Sequence, residues 1–179
     1  MTHQEMKVRV AAAVRSATEE VFSMMLGMEA LGGETVQTRG APSPTEGVVS
    51  LIGLAGPWQG TGCISCSAEV ACHVAGALMM GEYQAVNEEV LDAIAELTNM
   101  IVGNVKTIIE TEVGPMGLSI PTVIFGRNFS TKSGGQNDWI GVPFRTGSSS
   151  FTVQVCLIKK QEGRVPGRVG FTNTVVAAA

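Results

Sequence analysis

The chain lacks several features that mark common functions. Beyond the pair Lys159-Lys160 it has no basic run, and 12 Lys and Arg stand against 16 Asp and Glu, a net charge of −4. Without the basic footprint of a nucleic-acid binder, nucleic acid is not an expected partner. No apolar run reaches the length of about 18 residues that a membrane helix needs, so no membrane association is expected either. The apolar run at residues 10–14 has charges around it and does not form the h-region of a secretory signal, which gives the expectation of a cytoplasmic protein. Histidine is limited to His3 and His73. No serine or cysteine has a histidine placed by sequence as its base, so Ser-His or Cys-His chemistry is not expected.

Four cysteines are present, and Cys63, Cys66, Cys72 and His73 fall close enough together to raise zinc as a reading. Cys63 and Cys66 lie in an extended-looking segment, however, where residues three apart point to opposite faces. Reduced cysteines acting as small apolar residues are the better account, with no metal held by this chain. His73 sits in an almost wholly apolar helix pattern and is expected to be packed or partly buried.

With 179 residues and 45% hydrophobic content the chain is long enough for one well-buried core. A single domain over residues 1–160 is expected, followed at 161–179 by an irregular or mobile tail where periodicity is lost and glycine recurs. A first helix is expected over residues 4–31, with Val14, Val21, Phe22, Met25 and Leu26 on its buried side and a stop at Gly32-Gly33. Strands follow at 48–54 and 61–67, then a helix over 68–80 capped by Ser67 and ended by Gly81. A long helix over 87–112, capped by Asn87 and stopped by Gly114-Pro115, precedes strands at 118–125, 139–144 and 151–158. Turns at Ser133-Gly134-Gly135 and Thr146-Gly147-Ser148 suit antiparallel hairpins.

In the long helix, Val90, Leu91, Ile94, Leu97, Ile101, Val102, Val105, Ile108 and Ile109 fall within an arc of about 140°, the core-facing stripe. Asp92, Glu96, Asn99 and Gly103 gather on the opposite side within about 60°. The missing side chain at Gly103 would admit a close-approaching partner, although glycine weakens a helix interior by about 1 kcal/mol relative to alanine. A weaker copy occurs 76 residues earlier, where Ser16, Glu20, Ser23, Met24 and Gly27 align with Asp92, Glu96, Asn99, Met100 and Gly103. The order helix, strands, helix, then helix, strands predicts an α+β fold: a two-layer tandem duplication of an α-β unit, with one antiparallel sheet and long helices on one face.

A carboxylate and a carboxamide one helical turn apart do not form a self-sufficient catalytic site. They suit insertion into the active site of a partner. Hydrolysis of an acyl phosphate needs mainly a water held in line with the scissile bond, because the transition state is loose and a metal beside the phosphoryl group takes up charge. A carboxamide can hold that water without repelling an anion, and a neighbouring carboxylate can fix register by pairing with a partner lysine.

The spacing Asp92-x-x-x-Glu96-x-x-Asn99 with Pro121 downstream resembles the signature of the CheC/CheX/FliY chemotaxis phosphatases, and the flanking EVLDAIAELTNMIVGNVK is most similar to the CheX branch. The resemblance implies a CheC-like fold and dephosphorylation of the phosphoaspartate of a CheY-type response regulator. It implies catalytic roles for Asn99, which would orient the attacking water, and for Glu96, which would bind the regulator's lysine. Asp92, Met100 and Gly103 would complete the partner-binding face. Mg2+ would belong to the regulator, and this chain would carry no cofactor of its own. The first copy, with Ser23 in place of the asparagine, reads as a relic. The family is also associated with homodimers through sheet edges, a pairing that exposed strand edges permit. A non-catalytic module that binds a response regulator or flagellar-switch component through the same face is the alternative.

Overall fold

In the computed structural model, which describes residues 1–40, 46–127, 129–132, 137–160 and 174–177, helix α1 spans His3–Val21. A capping box fixes its start: Thr2 Oγ1 accepts from the Glu5 N–H while Glu5 accepts from the Thr2 N–H. The helix ends well before Leu31. One wide π-type turn, Phe22–Leu26, leads to Gly27 in the left-handed region at φ 62°, and the Phe22 carbonyl accepts from both Gly27 and Met28. The wider turn breaks the 3.6-residue phase, so Met25, expected inside, is exposed while Leu26 stays buried.

Strands β1, Leu31–Gly32, and β2, Val36–Arg39, follow where no strand was expected. β3, Glu46–Ala55, and β4, Trp58–Cys66, form the foreseen hairpin. Helix α2, Ala68–Met79, is capped by Ser67 and buries only Val70, Ala71, Val74 and Ala75. His73 lies on the opposite side and is exposed, which corrects the expectation of a packed histidine: a helix that is apolar all round here still covers the core with one face. Helix α3, Glu88–Val113, matches its expected bounds closely because Asn87 Oδ1 accepts from the Val90 N–H at 3.0 Å and Gly114 closes the other end. β5, Gly117–Leu118, and β6, Thr122–Arg127, replace the single strand expected over 118–125. β7, Phe129–Lys132, β8, Asp138–Thr146, and β9, Ser149–Lys159, complete the second half. Within the stretch expected to be irregular, β10, Thr174–Ala177, pairs antiparallel with β7. The rest of 161–179 and the turn expected at Ser133-Gly134-Gly135 lie outside the described residues.

The sheet carries the duplication. Its order is β1-β8-β9-β4-β3-β5, with β2 beside β8 and β6 beside β3, all antiparallel. Exchanging β1/β2 with β5/β6, β3 with β8 and β4 with β9 maps this order onto itself, a pseudo-two-fold between the paired β4 and β9. Each half therefore lends its outer strand to the other half. Both outer strands are also interrupted in the same way. Gly32 pairs with Phe144 and Val36 with Gly141, while Leu118 pairs with Leu54 and Thr122 with Leu51, so each interruption sets three residues opposite two. Each is a β-bulge.

Helices α1, α2 and α3 cover one face, where Val14, Phe22, Ile52, Ile64, Leu97, Ile101, Val142 and Val153 join in one core. The other face holds a smaller buried cluster of Val49, Leu51, Cys63, Phe129, Trp139 and Cys156. Cys63 thus faces away from Cys66, which packs on the helix side, as strand alternation requires. Burial pushes both thiols up to about 12.

Candidate active site

Helix α3 is seated by close approach to the central strands. A Cβ at Gly62 would lie 2.7 and 2.8 Å from the two γ-carbons of Val102, so the bare glycine lets the helix come down onto β4. With Val90, Ile94, Leu97, Ile101, Val102, Val105 and Ile109 buried beneath it, Asp92, Glu96 and Asn99 stand exposed on the outer side. Among the described residues no hydrogen bond or ion pair engages their side chains, so both the acceptor and the donor of Asn99 are free to bind a water or a partner.

The opposite wall is the bulge between β5 and β6, and α3 itself holds the approach to it. Lys106 Nζ reaches Glu110 Oε2 at 2.8 Å and the Met116 carbonyl at 3.2 Å, and the Met116 N–H donates to Glu110 Oε1 at 2.5 Å. The Lys106 ammonium and the Met116 N–H hold the Glu110 carboxyl below the ordinary glutamate value. Next, Leu118 lies against Gly103, where an added Cβ would be 3.7 Å from Leu118 Cδ1. Ser119 is tied twice to one residue of β3: its N–H donates to the Gly53 carbonyl at 2.9 Å and its Oγ accepts from the Gly53 N–H at 2.8 Å. Asp92, Ala95, Glu96 and Asn99 from α3 meet Ser119, Ile120 and Pro121 from the bulge around one open concavity of about 270 Å³.

Of the residues singled out in the sequence, Asp92, Glu96, Asn99 and Pro121 share this concavity. Met100 and Gly103 do not line it: Met100 is half-buried against the core, and Gly103 is half-covered beside Leu118. Ser119 and Ile120 were not foreseen as part of the site. The signal available was an apolar residue between a hydroxyl and a proline, a pattern that breaks a strand and displays what lies between. Cys72 and His73 line a separate, larger hollow of about 880 Å³ beside α2. Among the described residues no three His, Cys, Asp or Glu side chains gather as a metal site.

A family model described as chemotaxis phosphatase CheX matches residues 48–145, more than half of the chain. This chain belongs to the CheX family. It is 32% identical over 131 residues to the CheY-P phosphatase CheX of Thermotoga maritima, covering 73% of this chain and 84% of that protein. The crystal structure of a chemotaxis protein CheX from Desulfovibrio desulfuricans superposes with a TM-score of 0.75 at 25% identity, over 83% of this chain and 99% of that one. The fold is also that of the CheX in the CheX–CheY–BeF3–Mg2+ complex from Borrelia burgdorferi, with a TM-score of 0.65, 23% identity, and 83% and 97% coverage. The matched residues of the CheX model include α3 and the bulge, so the concavity lies inside the segment that defines the family.

The first copy of the motif sits differently. Ser16, Glu20 and Ser23 are exposed, but Ser23 lies inside the π-type turn, and its hydroxyl donates back to the Glu20 carbonyl at 3.1 Å. Under the pseudo-two-fold, Gly33, Glu34 and Thr35 take the places of Ser119, Ile120 and Pro121, and the Gly33 N–H donates to Pro143 as that of Ser119 does to Gly53. The backbone of the bulge is repeated and its side chains are not.

Proposed function

We propose that the chain dephosphorylates the phosphoaspartate of a CheY-type receiver domain by lowering the exposed face of α3 onto the receiver's active site. The observation that carries this reading is the exposed pair Glu96 and Asn99, which has no hydrogen-bond or ion-pair partner among the described residues and stands on a helix whose backbone is fixed by close packing. The 32% identical Thermotoga maritima protein, named as a CheY-P phosphatase, supports the substrate class. The side-chain carbonyl of Asn99 accepts a hydrogen bond from a water and holds the water oxygen in line with the acyl-phosphate bond, and both protons of that water leave with the phosphate. The water oxygen bonds to phosphorus, the bond to the aspartyl oxygen breaks, the carboxylate is regenerated and inorganic phosphate leaves. Glu96 pairs with a receiver lysine and sets the register of the helix. Mg2+ sits on the receiver and takes up the charge of the phosphoryl group, with no metal required of this chain.

The test is phosphate release from a phosphorylated receiver with Mg2+, for wild type, Asn99→Ala and Glu96→Ala. Asn99→Ala is expected to lower turnover about 100-fold, the scale of misplacing a reacting group, while receiver binding persists. Glu96→Ala is expected to weaken binding. Turnover by Asn99→Ala equal to wild type would sink the mechanism. Binding by wild type with no release beyond the receiver's own autodephosphorylation would leave a docking module.

A further inference from the structure

Ile120 is 88% exposed, yet little freedom is left to it. On its N-terminal side Ser119 is tied to Gly53 through both its N–H and its Oγ, and that Oγ also donates to the Ile120 carbonyl at 3.0 Å. On its C-terminal side Pro121 restricts the backbone of Ile120 to extended conformations. Among the described residues the bulge leaves Ile120 without a strand partner, and it turns the residue outward at the rim of the concavity that holds Asp92, Glu96 and Asn99. Single exposed aliphatic residues are ordinary. One held on both sides beside a reactive pair is less so, and the chain supplies its own comparison. In the first half the same bulge backbone carries Glu34, also exposed, beside a helix that has lost the asparagine. Where the Glu/Asn pair is present the bulge presents an isoleucine, and where it is lost the bulge presents a carboxylate.

We propose that Ile120 is a specificity-determining contact for the phosphorylated receiver, seating in an apolar hollow beside the phosphoaspartate so that receivers bearing charge or a bulky polar side chain there are turned over poorly. The inference rests on the receiver-phosphatase reading above. Because the backbone that carries the side chain is preorganised, little backbone conformational entropy is lost on docking, and burial of the side chain adds to affinity without touching the reacting atoms. Ile120 is a positioning residue, and its signature is a change in KM with kcat retained.

The experiment measures steady-state phosphate release from a CheY-type receiver domain phosphorylated with acetyl phosphate in Mg2+, with full-length wild type, Ile120→Leu, Ile120→Ala and Ile120→Glu. Ile120→Ala is expected to raise KM about tenfold, the scale of removing one aliphatic side chain from a buried contact, with kcat within about twofold. Ile120→Glu, which copies the first half, is expected to raise KM by more than Ile120→Ala, and Ile120→Leu to stay within about threefold of wild type. Because the side chain is exposed, the melting temperatures of all four should agree within about 2 °C, which excludes unfolding as the cause. Unchanged KM in Ile120→Glu overturns the proposal, and so does a fall in kcat at constant KM. Wild type inactive toward the receiver is the failure of the phosphatase reading instead. The contact is then decided by titrating the same receiver: binding lost in Ile120→Glu upholds it, and equal binding or none by wild type overturns it.

Discussion

Gly62→Ala tests whether the position of α3 is set by contact with β4. The added Cβ would stand 2.7 Å from Val102 Cγ2, 2.8 Å from Cγ1 and 3.3 Å from Cβ. Because both γ-carbons are struck, rotating Val102 exchanges one clash for another, and a β-branched side chain in a helix has one strongly preferred rotamer in any case. An ordinary carbon–carbon contact needs about 3.5–4.0 Å, so the helix must lift by roughly 1 Å. Overpacking of this kind costs about 1–3 kcal/mol. For a chain of this size that is a fall in melting temperature of about 2–4 °C per kcal/mol. Val102→Ala alone removes two methyl groups from a fully buried position and is expected to cost about 2 kcal/mol.

Combined, the two changes exchange one buried group for another at the same place. The double variant should be more stable than the sum of the single losses by at least about 1 kcal/mol, read by urea or thermal unfolding. Turnover adds a second readout. Val102 lies one helical turn from Asn99, so lifting α3 in Gly62→Ala displaces the carboxamide and should slow phosphate release, with recovery in the double variant. Strict additivity of the two single losses would refute the seating argument, as would a Gly62→Ala protein as stable as wild type.

Gly103→Ala tests the other glycine. Its Cβ would meet only Leu118 Cδ1 at 3.7 Å, an ordinary contact, so the fold does not need glycine there. The variant is expected to gain up to about 1 kcal/mol from helix propensity and to release phosphate more slowly because the receiver no longer approaches as closely; a stabilised variant with full turnover removes the close-approach reading. At the start of α1, Lys7 Nζ holds Asp138 Oδ2 at 2.7 Å, and that hydrogen bond is the first cause of an Asp138 pKa below the ordinary aspartate value, with smaller help from Gln37 and Arg39. A depressed carboxylate contributes stability above its unfolded value of about 3.9 that is lost as pH falls through the lower folded value. Lys7→Met should therefore flatten the acid limb of a stability-against-pH curve below about pH 4 while leaving its shape near neutrality unchanged; an acid limb identical to wild type would count against the pairing.

What the sequence revealed and what it concealed divide along local and long-range causes. Helix α3 was legible to within one residue at each end because both stops are local: the Asn87 cap and Gly114. The stripe of Asp92, Glu96 and Asn99 follows from helical period alone. The end of α1 was not legible, since Gly27 lies inside an apolar stretch whose spacing still reads as helix, and only the φ of 62° at that glycine reveals the stop. β1 and β2 are short and mostly exposed, so no alternation marks them, and they exist because β8 offers an edge to pair with. The second wall of the site was hidden for the same reason. Residues 118–125 alternate well enough to read as one strand, and the break comes from Ser119 bonding to Gly53, far away in the chain.

The pseudo-two-fold explains why a chain with one Glu/Asn pair retains two copies of its supporting unit. Each half contributes its outer strand to the other half, β1/β2 to β8 and β5/β6 to β3, so neither half closes its own part of the sheet. Loss of the first unit would strip an edge from the second, and the fold therefore keeps α1 whether or not α1 carries chemistry. The buried residues Val10, Val14, Ala17 and Val21 answer to that demand. The exposed side does not, and there the copies diverge: Ser23 for Asn99, Glu34 for Ile120, and a π-type turn with left-handed Gly27 where α3 runs on regularly through Gly103 to Val113. A carboxamide can position water only if its backbone is held from both directions. Asn99 sits mid-helix over a packed floor, whereas Ser23 sits in a turn that ends at once. The difference between the halves thus lies in the length of regular helix beneath the motif as much as in the motif itself, and restoring asparagine at position 23 would restore the letter without the platform.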